Sequence, residues 1–186
     1  MTATAEVASG HNINLKSPTA TRFMTYLALP FEPPQLEGVL AAACELAATF
    51  GVVAGFVSAE PSYGLAHRAA IGHSIPKERT GLSEHRLRER RLRDYKSELI
   101  DTRLAGIEWG TFLGPGHLRL VDVSAVRDSG AFERVVEVSP SLVFLQLTSN
   151  SQGDLSSEIE PKLQRARVAM RSLMLDTSEL PESPNC

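Results

Sequence analysis

Gly106-Ile107-Glu108-Trp109-Gly110-Thr111-Phe112-Leu113-Gly114-Pro115-Gly116-His117-Leu118 contains the chain's one tryptophan and four of its 13 glycines. Aromatic and β-branched residues between Ile107 and Leu113 favour a short strand. Gly114-Pro115-Gly116 closes that strand, because proline fixes φ and glycine tolerates the conformations of tight turns. Trp109 is expected as a core anchor, as large aromatics usually are, and the four glycines as turn residues. Their spacing gives neither GxGxxG nor a GK[ST] ending, so the stretch is no phosphate loop.

Working outward toward the N-terminus, Val52 to Ser58 reads as a strand, preceded by a helix from about Gln35 to Phe50. Pro33-Pro34 opens this helix and Gly51 stops it. Its apolar stripe is Leu36, Val39, Leu40, Ala43, Ala47 and Phe50. Arg22 to Leu29 is a further strand, completing a β-α-β start. Glu60 to Ser74 has no clear period and is interrupted by Pro61, Gly64 and Gly72, which predicts a surface loop. Pro76 to Ile100 is charged and predicted largely helical.

Toward the C-terminus, Gly116 to Val126 is predicted as a short helix or irregular segment. Arg134 to Val138 and Leu142 to Thr148 form a hairpin around Ser139-Pro140-Ser141. A final helix, about Ser157 to Leu175, carries Ile159, Leu163, Ala166, Met170 and Leu173 on one face. The pattern predicts an α+β fold over residues 21–176. Its sheet is antiparallel or mixed, with about five strands and helices packed mainly on one face. Residues 1–20 and 177–186, small and polar, are expected as flexible tails.

A chain of 186 residues suits one domain. Its formal net charge is -3 and its sequence pI is about 6.0, which argues against wholesale nucleic-acid binding. The charge is unevenly spread: Lys77 to Lys96 has a net charge of +4 and the remainder -7. The run His85-Arg86-Leu87-Arg88-Glu89-Arg90-Arg91-Leu92-Arg93 could be a solvated helix face, a protein contact or a phosphate-binding surface. Intervening acids, the i,i+4 pairs Glu84/Arg88 and Glu89/Arg93, and the lack of an aromatic before Tyr95 favour the solvated face.

Cys44 lies in an apolar helix and Cys186 ends the chain, so no disulfide framework is indicated. No signal-peptide pattern opens the sequence, and no apolar run approaches the roughly 20 residues of a membrane span. A reducing cytoplasm is the expected location. His67, His73 and His85 match no metal-ligand spacing, and no GxSxG elbow marks a nucleophile. The expectation is a protein without cofactor, metal or enzymatic activity.

The hydrophobic first strand, the Ala/Leu-rich helix, the Gly-Val-Val-Ala-Gly-Phe strand and the charged helical stretch are followed by Leu104-Ala105-Gly106 and the tryptophan segment. With the late Leu-Val-Phe-Leu-Gln-Leu-Thr strand, this order resembles the type VI immunity family. Its bacterial members are associated with effectors carrying VRR-Nuc nuclease domains, whose DNase they bind and inhibit. The resemblance runs from about Thr21 to Leu175 and is strongest over Leu104 to Leu118. It implies a cognate toxin as partner and neutralisation by occlusion of the DNA-binding or active site. An acidic surface suits a basic nuclease, and Glu32, Glu37, Glu60 and Tyr63 are the candidate contacts. Glu32 and Glu37 flank the start of the first helix, while Glu60 and Tyr63 follow the next strand. The rival reading is a small nucleic-acid-associated protein using residues 85–96.

Overall fold

The Ala-rich stretch predicted as the first helix forms α1, Leu36–Thr49, in the computed structural model, which describes residues 6–11, 23–28, 36–57, 89, 99–149 and 159–176. Leu36, Leu40 and Ala47 are buried, and Ala43 and Cys44 pack beside them. At its end, Gly51 N donates to Ala48 O (3.2 Å) and Val52 N to Ala47 O (3.0 Å). With Gly51 at φ 59°, this is the left-handed glycine cap that satisfies the last carbonyls and reverses the chain. The reversal corrects one expectation. Phe50, assigned to the core stripe, is 73% exposed, while Val52 packs against the core.

Beyond α1 come β3 (Ala54–Val57), β4 (Gly110–Leu113), the single turn α2 (Pro115–Leu118) and α3 (Val123–Asp128). The chain continues with β5 (Arg134–Ser139), β6 (Leu142–Gln146) and α4 (Ile159–Ala169). The four strands form an antiparallel sheet in the order β3-β4-β6-β5, with Phe112 opposite both Gly55 and Phe144. The predicted hairpin is β5-β6, and the predicted face of the last helix is buried throughout: Ile159, Leu163, Ala166, Met170 and Leu173. Asp122 caps α3, its carboxylate accepting from Ser124 N and Ala125 N.

Two further expectations need correction. Within residues 1–20, expected as a loose tail, Glu6–His11 forms a strand, β1, paired antiparallel with β2 (Phe23–Ala28) in a separate two-stranded ribbon. The described strands therefore divide into four and two rather than about five in one sheet. Every residue of β4 and β6 is buried, so the central strands are covered on both sides. Arg134 of β5 ion-pairs with Glu37 of α1, whereas Glu137 ion-pairs with Arg127 of α3.

The segment before β4 joins the sheet to the end of the chain. Leu104 N donates to Leu173 O and Leu175 N to Leu104 O, each at 2.8 Å, making a parallel bridge. Leu104, Ile107, Trp109 and Leu113 sit in one core cluster with Leu145, Leu163 and Leu173. Full burial of each such side chain contributes roughly 1.5–3 kcal/mol.

Candidate functional site

The tryptophan segment builds an interior. Trp109 is 1% exposed, and its indole N–H donates to Thr148 O (3.0 Å) and Thr148 Oγ1 (3.1 Å). Gln146 Nε2 donates to the same carbonyl at 2.8 Å, and Leu147 N donates to Trp109 O at 2.9 Å. Buried polar groups need partners, and these bonds join β6 to the residues preceding β4. Trp109 is thus the core anchor expected of it.

The glycines are not the turn residues expected. Among the described residues only Gly51 and Gly130 have positive φ. Gly114 and Gly116 are instead places of close backbone approach: a Cβ at Gly114 would strike the Val53 carbonyl, and one at Gly116 the Asp101 carbonyl. This packing seats α2 against the ends of two other segments and buries His117 completely. His117 Nε2 faces Arg103 O at 3.4 Å, consistent with a proton on Nε2. Burial pushes the imidazole pKa below its ordinary value, and the Arg103, Val53 and Ile100 carbonyls and the Asp101 carboxylate only partly offset this.

A second interior constellation joins the basic run to α4. Arg167 Nε and Nη2 donate to the two oxygens of Glu89 at 2.9 and 3.0 Å, and both side chains are largely buried. Glu160 lies 3.6 Å from Arg167 Nη1. Gly106 makes room for the pair, since a Cβ there would lie 2.7 Å from Glu89 Cβ. Glu89, read from its spacing as part of a solvated salt-bridged helix, is in fact a buried structural residue. Its partner stands 78 positions away, beyond the reach of any local pattern.

Of the candidate contact residues, Glu37 is exposed in the first turn of α1. Arg134 Nη1 and Nη2 donate to its two oxygens at 2.7 and 2.9 Å, and this partner holds its carboxyl below the usual range. Glu32, Glu60 and Tyr63 lie outside the described residues, as do His67, His73, His85 and the arginines of residues 85–96. Among the described residues, no group of three or more His, Cys, Asp or Glu could hold a metal ion. Nor is any helix among them long and apolar enough to cross a membrane.

The surface feature missed from sequence is the C-terminal turn of α1. Leu46 and Val53 are 41% and 44% exposed, and Phe50 is 73% exposed. Phe50 N still donates to Leu46 O at 2.9 Å, so both residues belong to the last turn.

No family model, curated protein or solved structure matches this chain. The likeness to the immunity family therefore stands on the residues alone.

Proposed function

We propose that this chain is a cytoplasmic bacterial immunity protein of the type VI secretion class, which binds a cognate nuclease effector and occludes its DNA-binding or active site. The observation that carries the reading is the resemblance over Leu104 to Leu118, where the quoted residues are also the packing centre of the fold. The charge distribution agrees with it. Between Arg22 and His67 the sequence has no Lys, Arg or His and four glutamates, Glu32, Glu37, Glu45 and Glu60. A base-free stretch of this kind suits a partner built to hold DNA, since complementary charge speeds association.

The test is co-expression with the product of the neighbouring reading frame, expected to be a nuclease, alongside a DNA-cleavage assay with both purified proteins. Protection of cells and loss of cleavage are expected. Uninhibited cleavage by a nuclease that does not bind the chain would end the proposal. Charge reversal at Arg88, Arg90, Arg91 and Arg93 separates the nucleic-acid reading, which requires salt-sensitive DNA binding that this change removes.

A further inference from the structure

The outer face of α4 gathers positive charge that the described residues leave unanswered. Ile159, Leu163, Ala166, Met170 and Leu173 face the core, so the helical repeat turns Arg165, Val168, Arg171 and Ser172 outward, and all four are exposed. Arg171 N donates to Val168 O at 3.3 Å, which carries the turn past the end of α4. Val168, 77% exposed, therefore has one arginine a turn before it and another a turn after. A third arrives from elsewhere in the chain: Nη1 of the exposed Arg103 donates to Ser172 O. Ser172 Oγ in turn donates to Leu120 O at 3.1 Å, and Leu120 is 45% exposed. The ion pairs of the described residues engage Arg127, Arg134, Lys162 and Arg167. Arg103, Arg165 and Arg171 enter none of them, and the one acid of α4, Glu160, faces Arg167 and Gln164.

Guanidiniums present planar donors matched to oxyanions, and arginine clusters recognise acidic and phosphorylated motifs. Two features favour carboxylates carried on a protein over a phosphodiester backbone. The row has no aromatic side chain to stack on bases, and Val168 at its centre gains from an apolar neighbour that a sugar-phosphate chain lacks. The basic residues are all arginine, which is enriched in protein interfaces where lysine is depleted. A two-fold contact with a second copy would set the same arginines against one another. We infer that the outer face of α4, with Val168 between Arg165 and Arg171 and with Arg103 beside Ser172, docks an acidic protein segment whose carboxylates flank an apolar side chain. Such a partner is opposite in sign to a basic nuclease, so the inference does not rest on the function proposed above.

The experiment titrates the full chain against a fluorescein-labelled peptide of glutamates interspersed with leucines and follows polarisation. Wild type is expected to bind, and the double variant Arg165→Glu/Arg171→Glu to bind about tenfold more weakly or worse. Val168→Ser, or a peptide with serines in place of the leucines, should weaken binding by about fivefold through the lost apolar contact. Arg127→Glu, a charge reversal on α3, should leave binding unchanged. The α4 variants should keep the wild-type melting temperature, since the side chains they replace are exposed. If wild type does not bind the peptide, or if the double variant binds it equally well, the assignment is overturned. A single-stranded oligonucleotide that binds more tightly than the peptide and is released by the same reversals would make this a phosphate-binding face, which also overturns it. So would a concentration-dependent oligomer in sedimentation that the double variant dissolves, because a second copy would then be the occupant.

Discussion

Trp109 combines two roles in one side chain: it fills the core between the sheet and the last helix, and its N–H holds Thr148. Truncation to alanine is expected to cost about 3–5 kcal/mol, as for large aromatics in cores, measured by denaturant unfolding. A variant that unfolds like wild type would remove Trp109 from the core. His117 provides a pH handle of defined sign. Its pKa in the folded state is lowered from 6.5, chiefly by burial, so the unfolded chain binds this proton more tightly. The contribution is therefore fully present above about pH 6.5 and is lost as pH falls toward the folded value, with a slope of at most about 1.4 kcal/mol per pH unit for one proton. Unfolding free energies of wild type and His117→Gln, compared between pH 5 and 8, should differ in slope below pH 6.5. Parallel curves would refute the assignment.

At the scale of elements, the fold depends on contacts between segments distant in sequence. The Glu89–Arg167 pair fastens one residue of the basic run to α4, and removing one partner breaks a buried bidentate ion pair. Glu89→Ala or Arg167→Ala is expected to cost about 3–5 kcal/mol, with the double variant no worse than either single one. Additive losses would show that the pair does not act as a unit. Seating α2 makes a similar demand: Gly116→Ala forces a Cβ into a backbone carbonyl and should cost about 1–3 kcal/mol. Gly38→Ala, with open space around it in α1, should stabilise by about 0.5–1 kcal/mol. Elements whose own periodicity carries the signal were legible from sequence, namely α1, the β5-β6 hairpin and the buried face of α4. The strand Glu6–His11 was not, because Glu-Val-Ala-Ser-Gly-His has little strand propensity and its pairing with β2 is what orders it. A close-approach glycine cannot be told from a turn glycine in one sequence, so the role of Gly114 and Gly116 emerged only from packing. Among the site candidates, Glu37 was legible as an exposed acid but not as Arg134's partner, 97 positions away. The stop at Gly51 was legible, but the exposure of Phe50 was not, because the stripe's spacing includes it.

At the scale of the molecule, charge is segregated along the chain: +4 over Lys77 to Lys96 against -7 elsewhere, with residues 23–66 carrying only acids. Charge of this kind acts on the encounter with a charged partner more than on the bound state. The proposed immunity function then has a kinetic signature. Cleavage by the cognate nuclease should fall to zero near one equivalent of this chain, because occlusion consumes one molecule per enzyme. Between about 0.05 and 0.5 M salt, where the Debye length shrinks from above to below 10 Å, association should slow markedly while dissociation changes little. Titration of cleavage and a salt series of binding rates measure the two halves separately. Inhibition at a small fraction of an equivalent that deepens with incubation would indicate turnover by the chain itself, and the occlusion mechanism would then be wrong.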